Sequence, residues 1–374
     1  MKKTVLLFSL LLCIFVAALS VSAVEEAVLN GNCGTDATWS LDTASGTLTI
    51  SGTGSISSFP WKNSASAIQK IIVGDGITSI DDGAFKGCTA LEEITLPFVG
   101  KSADTTVDYE TPFGWIFGHS TSSSSGGIHQ VNGYHYYSIP SSIKKVVITS
   151  DDSLPRQAFE NCASIEEIVL PDSLSVLGYR AFGFCDKLKK VTLPSSLTSI
   201  PASAFAFCSA LTDIVIPESV TVIGGGAFEG CSSLTAVQIE STDAWMHITF
   251  KNEFSNPLSL AKHLYLHNNL ITEIAIPDSV TEVSSYALYN AQDIQKISIP
   301  DSVTSIGKNA FYNCASLRAV TVPDSVTSID DGAFKGCTAL EEITLPFVGK
   351  SADTTVDYET PFGWIFGHST SSSS

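Results

Sequence analysis

The groups in this chain that could carry chemistry are nine cysteines, seven histidines and 38 carboxylates. Seven of the cysteines (Cys88, Cys162, Cys185, Cys208, Cys231, Cys314 and Cys337) take one recurring position, and Ala291 takes it once. Cys33 and Cys13 fall outside that column. No Cys-x-x-Cys or Cys/His spacing accompanies it, so neither redox nor metal chemistry is indicated. Equivalent residues one coil apart lie roughly 4.8 Å from each other, and a small buried side chain filling a tight bend suits such a column. Disulfides between alternate members would need facing Cβ atoms, and free, buried thiols are the expectation. His263 and His267 flank Leu264-Tyr265-Leu266, where the alternation reads as strand and the Glu of H-E-x-x-H is absent, so they are expected as rim histidines and not a zinc pair. Asp81-Asp82 and Asp151-Asp152 read as a solvated face, and Asp and Ser after each Pro as turn residues. G-x-x-x-x-G-K-[ST] and G-x-S-x-G are also missing. Catalytic, cofactor and metal residues are therefore all assigned as none, with no small-molecule substrate.

What positions the cysteines is a repeat. An Ala-Phe pair recurs at Phe159, Phe182, Phe205 and Phe228, 23 residues apart, with a Cys three residues after each Phe. Leu288, Phe311 and Phe334 continue the step in a second array. Each repeat offers a short apolar run such as Leu188 to Leu193, closed by a proline that has no N–H to give a ladder. Leu197, Ile200 and Phe205 then return the chain across the back of the coil. One coil cannot bury these residues, but stacked coils can. The predicted fold is an α/β-type solenoid: a leucine-rich repeat array of 23-residue coils, a parallel β-sheet on one face, and an N-terminal β-hairpin cap.

The ends and interruptions set the organisation. Residues 1–23 read as a signal peptide, with Lys2 and Lys3 before an apolar run and Val21-Ser22-Ala23 at the cleavage position. Residues 24–63 form a β-rich cap, with Thr38 to Leu41 and Thr47 to Ser51 as its hairpin. Repeats occupy 64–97, 138–239 and 263–346. Between them lie an aromatic insertion at 98–137 and a second insertion at 240–262. Residues 327–374 repeat residues 78–125 letter for letter, so 347–374 is the start of a duplicated insertion, and the chain reads as truncated inside a module. An uncapped end there would offer a route to self-association.

Insertions in repeat proteins often mark the binding face, and aromatic residues can anchor a partner. Trp115, Phe117, Tyr134, Tyr136 and Tyr137 are the candidate partner-binding residues, the competing expectation being a flap folded over the solenoid. Trp39 and Trp61 are possible glycan-stacking surfaces or ordinary core. The net charge of −18 excludes a basic stripe for nucleic acid. On the strand face, one outward row alternates Lys70, Glu93, Lys145, Glu167 and Lys190, which predicts lateral charge pairing. The next row (Thr95, Val147, Val169, Thr192, Val215) is small or β-favouring, as a surface receiving a protein would be.

The pattern Ala-Phe-x-x-Cys-x-x-Leu-x-x-Ile-x-Ile-Pro-x-Ser-Val-Thr-x-Ile, as from Ala310 to Ile329, resembles the BspA-like leucine-rich repeats of bacterial and protist surface proteins. The likeness covers about residues 64–374. It implies a non-catalytic, secreted or cell-surface adhesin that binds host extracellular matrix proteins such as fibronectin and fibrinogen. The alternatives are a glycan-binding or cell-wall structural protein, or the scaffold of a larger multidomain protein.

Overall fold

The computed structural model describes residues 28–120, 128–132 and 135–367. The signal segment lies outside them, as does Tyr134. Three antiparallel strands open the fold: β1 (Val28–Asn32), β2 (Asp36–Asp42) and β3 (Thr47–Ile56). At the β2–β3 turn the Asp42 carboxylate accepts from the Ala44 N–H at 2.9 Å and the Ser45 hydroxyl at 2.7 Å. Strand β3 then runs parallel to Lys70–Val73, with Leu48 opposite Ile71 and Ile50 opposite Val73. The expected hairpin thus gains a third strand, and its inner edge starts the stack.

From Lys70–Val73 the parallel ladder passes to Glu93–Leu96, Lys145–Ile148, Glu167–Val169 and Lys190–Thr192. Two further parallel groups follow, one of them starting at Asp213–Ile216 and the other running from Glu273–Ala275 to Glu342–Thr344. Period-two alternation sends Ile94, Val146, Ile168 and Val191 inward, where all are buried. The return legs are turns and two-residue strands, such as Ser199–Ile200 beside Val222–Ile223, which form a second parallel ladder. Among the described residues only Thr242–Met246 and Leu258–Ala261 are α-helical, so this solenoid, at about 23 residues per coil, carries little helix.

Three columns hold one coil to the next. Phenylalanine rings stack near-parallel along the core, with centroids 5.9 Å apart for Phe159–Phe182, 5.0 Å for Phe182–Phe205 and 5.4 Å for Phe205–Phe228. Five column cysteines point their Sγ at a carbonyl of the preceding coil: Cys185 to Phe159, Cys208 to Phe182 and Cys231 to Phe205, all at 3.1 Å, with Cys314 to Leu288 and Cys337 to Phe311 alike. The same Phe182 carbonyl already accepts the Cys185 backbone N–H at 3.3 Å, so the thiol fills its second lone pair. Serines of the Pro-x-Ser turns do similar work, with Ser219 Oγ donating to Leu197 at 2.7 Å and Ser325 Oγ to Val303 at 2.8 Å. Hydroxyl and thiol thus add side-chain bonds from one coil to carbonyls of the coil before it, which gives the repeating Cys and Ser a reason beyond size.

The two segments read as insertions lie within the stack as enlarged return legs. After Glu93–Leu96 the chain takes a long path to a 3-10 turn, Phe113–Phe117. There Phe85 N–H bonds to the Ile116 carbonyl at 2.8 Å and Phe113 N–H to the Ala158 carbonyl at 2.9 Å. Phe113 thereby enters the aromatic column, 5.1 Å from Phe159. The second segment behaves likewise: Thr249–Phe250 pairs with Val222–Ile223, and Trp245 Nε1 donates to the Ala287 carbonyl at 3.0 Å.

Candidate binding surface

Two surfaces emerge from this geometry: the outward face of the parallel sheet and the rim of the first enlarged leg. On the sheet face Lys70 Nζ meets Glu93 at 3.0 Å and Lys145 meets Glu167 at 3.3 Å, with Lys190 at 3.9 Å on the other side of Glu167. Parallel register places these residues directly beside one another. The lateral pairing sets opposite charges side by side along this stretch of the row. Beside it Thr95, Val147, Val169 and Thr192 stand in register, and Val215 is exposed one coil further on. Further along, a shallow groove of about 550 Å³ is lined by Lys296, Ser298, Arg318 and Thr321 among others. An open, flat, small-side-chain surface of this kind suits a protein partner better than an enclosed ligand.

The candidate aromatics of the first enlarged leg divide by burial. Trp115, Phe117 and Tyr137 are buried, Tyr136 is half-buried, and Tyr134 lies outside the described residues. Trp115 Nε1 donates to the Ile80 carbonyl at 2.8 Å, and the Tyr137 hydroxyl donates to the Tyr109 carbonyl. Gly114 packs against Tyr137, and its N–H donates to the buried Gln130 amide oxygen at 2.7 Å. Burial pushes the Tyr137 hydroxyl well above its ordinary value. Trp115 and Phe117 therefore lie beneath the hairpin Ile128–Asn132 and His135–Ile139, which contributes Tyr137 to the same packed layer, the arrangement of a flap. The exposed aromatic is instead Tyr109, stacked on His135 at 4.8 Å and flanked by Trp115 and His119. Sequence reasoning passed over it because aromatic type alone does not separate wedge from rim. Its acidic flanks, Asp108 and Glu110, were the available signal.

Other candidates resolve without chemistry. Trp39 and Trp61 are both core, packed edge to face at 5.9 Å, which removes them as stacking platforms for a sugar. All eight described cysteines are free and buried. Burial pushes the thiols up, to about 12 for Cys88, Cys231 and Cys337, which is opposite to what a nucleophile needs. His263 Nδ1 lies 2.6 Å from the Asp293 carboxylate and His267 is exposed. No group of three metal-ligating side chains occurs among the described residues. Among the same residues no helix is long and apolar enough to cross a membrane. Asp151 is buried where Lys145–Ile148 leaves the sheet, and its Oδ2 accepts from the Val99 N–H at 3.3 Å. Desolvation raises its carboxyl to about 6.

Comparison with known proteins matches the family model described as the BspA type leucine rich repeat region, in six copies, at residues 50–106, 129–256 and 259–355. No curated protein matches the chain. Among solved structures, the chain is similar to a leucine-rich repeat protein from Eubacterium ventriosum, with 22% identity, 85% of this chain and 72% of that one covered, and a TM-score of 0.35. A leucine rich cell surface protein from Faecalibacterium prausnitzii shares 19% identity over 90% of this chain and 98% of its own, with a TM-score of 0.31. The pneumococcal vaccine antigen PcpA shares 16% over 86% and 82%, with a TM-score of 0.34.

Proposed function

The chain belongs to the BspA-type leucine-rich repeat family, and from that premise we propose that it is an exported, non-catalytic adhesin that binds host extracellular or other cell-surface proteins. Repeats of this family generally serve as protein-binding modules. The observation that carries the reading is the sheet face, where Lys70–Glu93 and Lys145–Glu167 satisfy one another while the neighbouring row stays small and open. Such a face contributes area and shape; specificity then comes from what rims it. In this reading the first enlarged leg is a rim, with Tyr109 and Tyr136 as its contacts and Trp115, Phe117 and Tyr137 holding it in shape.

The test is biolayer interferometry of the purified chain over immobilised fibronectin, fibrinogen and other extracellular proteins. A double substitution at the open row, Thr192→Glu with Val215→Glu, is expected to weaken binding about tenfold or more with an unchanged thermal midpoint, because both positions are exposed. Tyr109→Ala is expected to act in the same direction. If the folded chain binds no member of the panel, or binds equally well after all three changes, the adhesin reading is wrong.

A further inference from the structure

Eight coils cross two backbone positions in the left-handed region, two residues before and two residues after the column phenylalanine or Leu288. The second of these is Gly87, Asn161, Gly230, Asn290, Asn313 or Gly336 in six coils, at φ between 55° and 87°. Glycine and asparagine are the residues that tolerate this conformation. In the two remaining coils the position holds Phe184, at φ 58°, and Phe207, at φ 61°. A bulky side chain there is strained and calls for a compensating role.

Burial does not supply that role, since Phe207 is 40% exposed. The two rings stack on each other at 4.9 Å with planes 9° apart, and Phe207 lies flat over Gly230, where an added Cβ would come within 2.5 Å of the ring. Arg180, itself left-handed at φ 54°, holds its guanidinium 5.8 Å from the Phe184 ring. It also sits 5.2 Å from Tyr179, a ring that is 39% exposed, and Arg156 approaches the same ring at 6.0 Å. The chain has only three arginines, against 38 carboxylates, and two of them converge here. Arg180 has a carboxylate partner, Glu160, at 3.3 Å; Arg156 is exposed and forms no ion pair among the described residues.

We propose that Arg156, Tyr179, Arg180, Phe184 and Phe207, on the return-leg side of the solenoid, form a second docking surface for a peptide segment that sets one or two carboxylates beside an apolar side chain. The guanidiniums offer planar, bidentate donors to a carboxylate, and the paired rings offer a flat apolar floor. Aromatic residues and arginine are the types that dominate interface energetics. The chain's net charge of −18 repels a polyanion at a distance, so the fitting partner carries few charges. This surface lies on return legs, off the strand face, and is independent of the adhesin reading.

The residues found in neighbouring coils supply a clean perturbation. Phe184→Asn and Phe207→Asn install a residue that other coils carry at the same φ, so the thermal midpoint is expected to stay level or rise. A random peptide library selected on the full chain is expected to yield peptides with Asp or Glu next to an aromatic or aliphatic residue. Their affinity should fall about tenfold or more for Phe184→Asn/Phe207→Asn and for Arg156→Gln, and amidating their carboxylates should have a similar effect. Selected peptides that ignore these substitutions, or carry no acidic-apolar signature, would overturn the proposal. So would a drop in midpoint for the Asn variants without loss of peptide binding, which would make the rings an internal ladder only.

Discussion

Phe205 offers the most direct test of how the coils hold together. It is fully buried, between Phe182 at 5.0 Å and Phe228 at 5.4 Å, in near-parallel stacks. Truncation to Ala removes the ring from both coil interfaces at once, and the leg around it cannot collapse because its backbone is pinned by the Phe205 N–H to Ala227 bond at 2.8 Å. The expected cost is about 3–5 kcal/mol for a buried Phe→Ala change, with the two ring pairs contributing about 0.5–1.5 kcal/mol each within that total. Leu288 occupies the same column in another coil and is also fully buried. Phe205→Leu keeps most of the volume and should cost under about 1.5 kcal/mol. Stability in a stacked array is a sum of coil and interface contributions, so weakening two adjacent interfaces should also uncouple the flanks. Urea melts followed by far-UV circular dichroism and by tryptophan fluorescence should coincide for the native chain and separate for Phe205→Ala. A cost below about 1 kcal/mol for Ala, or equal costs for Ala and Leu, would refute the view that stacked rings carry the coil-to-coil coupling.

Three further outcomes follow from the same geometry. Cys208→Ala should cost only about 1 kcal/mol, since the column already accepts Ala291 and the Phe182 carbonyl keeps one backbone donor; a thiol reagent should label the native column only after denaturant unfolds it. Asp151 has a carboxyl raised by burial to about 6, against about 3.9 in the unfolded chain, so its charged form is disfavoured by the fold. Its contribution is full below pH 4 and is lost as the pH rises through 6. Asp151→Asn should therefore match the native chain near pH 3.5 and exceed it by on the order of 2 kcal/mol at pH 7.5, in paired melts across that range. Lys145→Gln should change stability by less than about 1 kcal/mol, because its pair with Glu167 is partly exposed on both sides, and a larger loss by urea titration would contradict that.

The repeat period, the inward strand residues, the cysteine column and the cap were legible in the sequence because each depends on local alternation or on a fixed step. The rim and wedge of the first enlarged leg were not legible: Trp115 and Tyr109 lie in one aromatic-rich stretch, and only the tertiary packing buries Trp115 while leaving Tyr109 exposed at the edge, against His135. Nor was the segment's place in the stack, since the bonds from Phe85 and Phe113 that put it there join residues far apart in the chain.

The duplicated module separates the two kinds of information within one molecule. Residues 78–117 and 327–366 are identical, and the sequence alone sets their local structure in both copies. Each has the 3-10 turn, Phe113–Phe117 or Phe362–Phe366. Each bonds its tryptophan to the same carbonyl, Trp115 to Ile80 at 2.8 Å and Trp364 to Ile329 at 2.9 Å. Each closes the same ion pair, Lys101–Glu110 at 2.9 Å and Lys350–Glu359 at 3.2 Å. Burial agrees where the module covers itself, with Trp115 6% and Trp364 7% exposed, and differs elsewhere: Phe113 is 0% exposed and Phe362 49%, Val99 1% and Val348 59%. In the first copy Phe159, Asp151 and the hairpin cover those residues. Turn geometry and short-range bonds are properties of a segment, whereas burial belongs to the neighbours that the stack places against it.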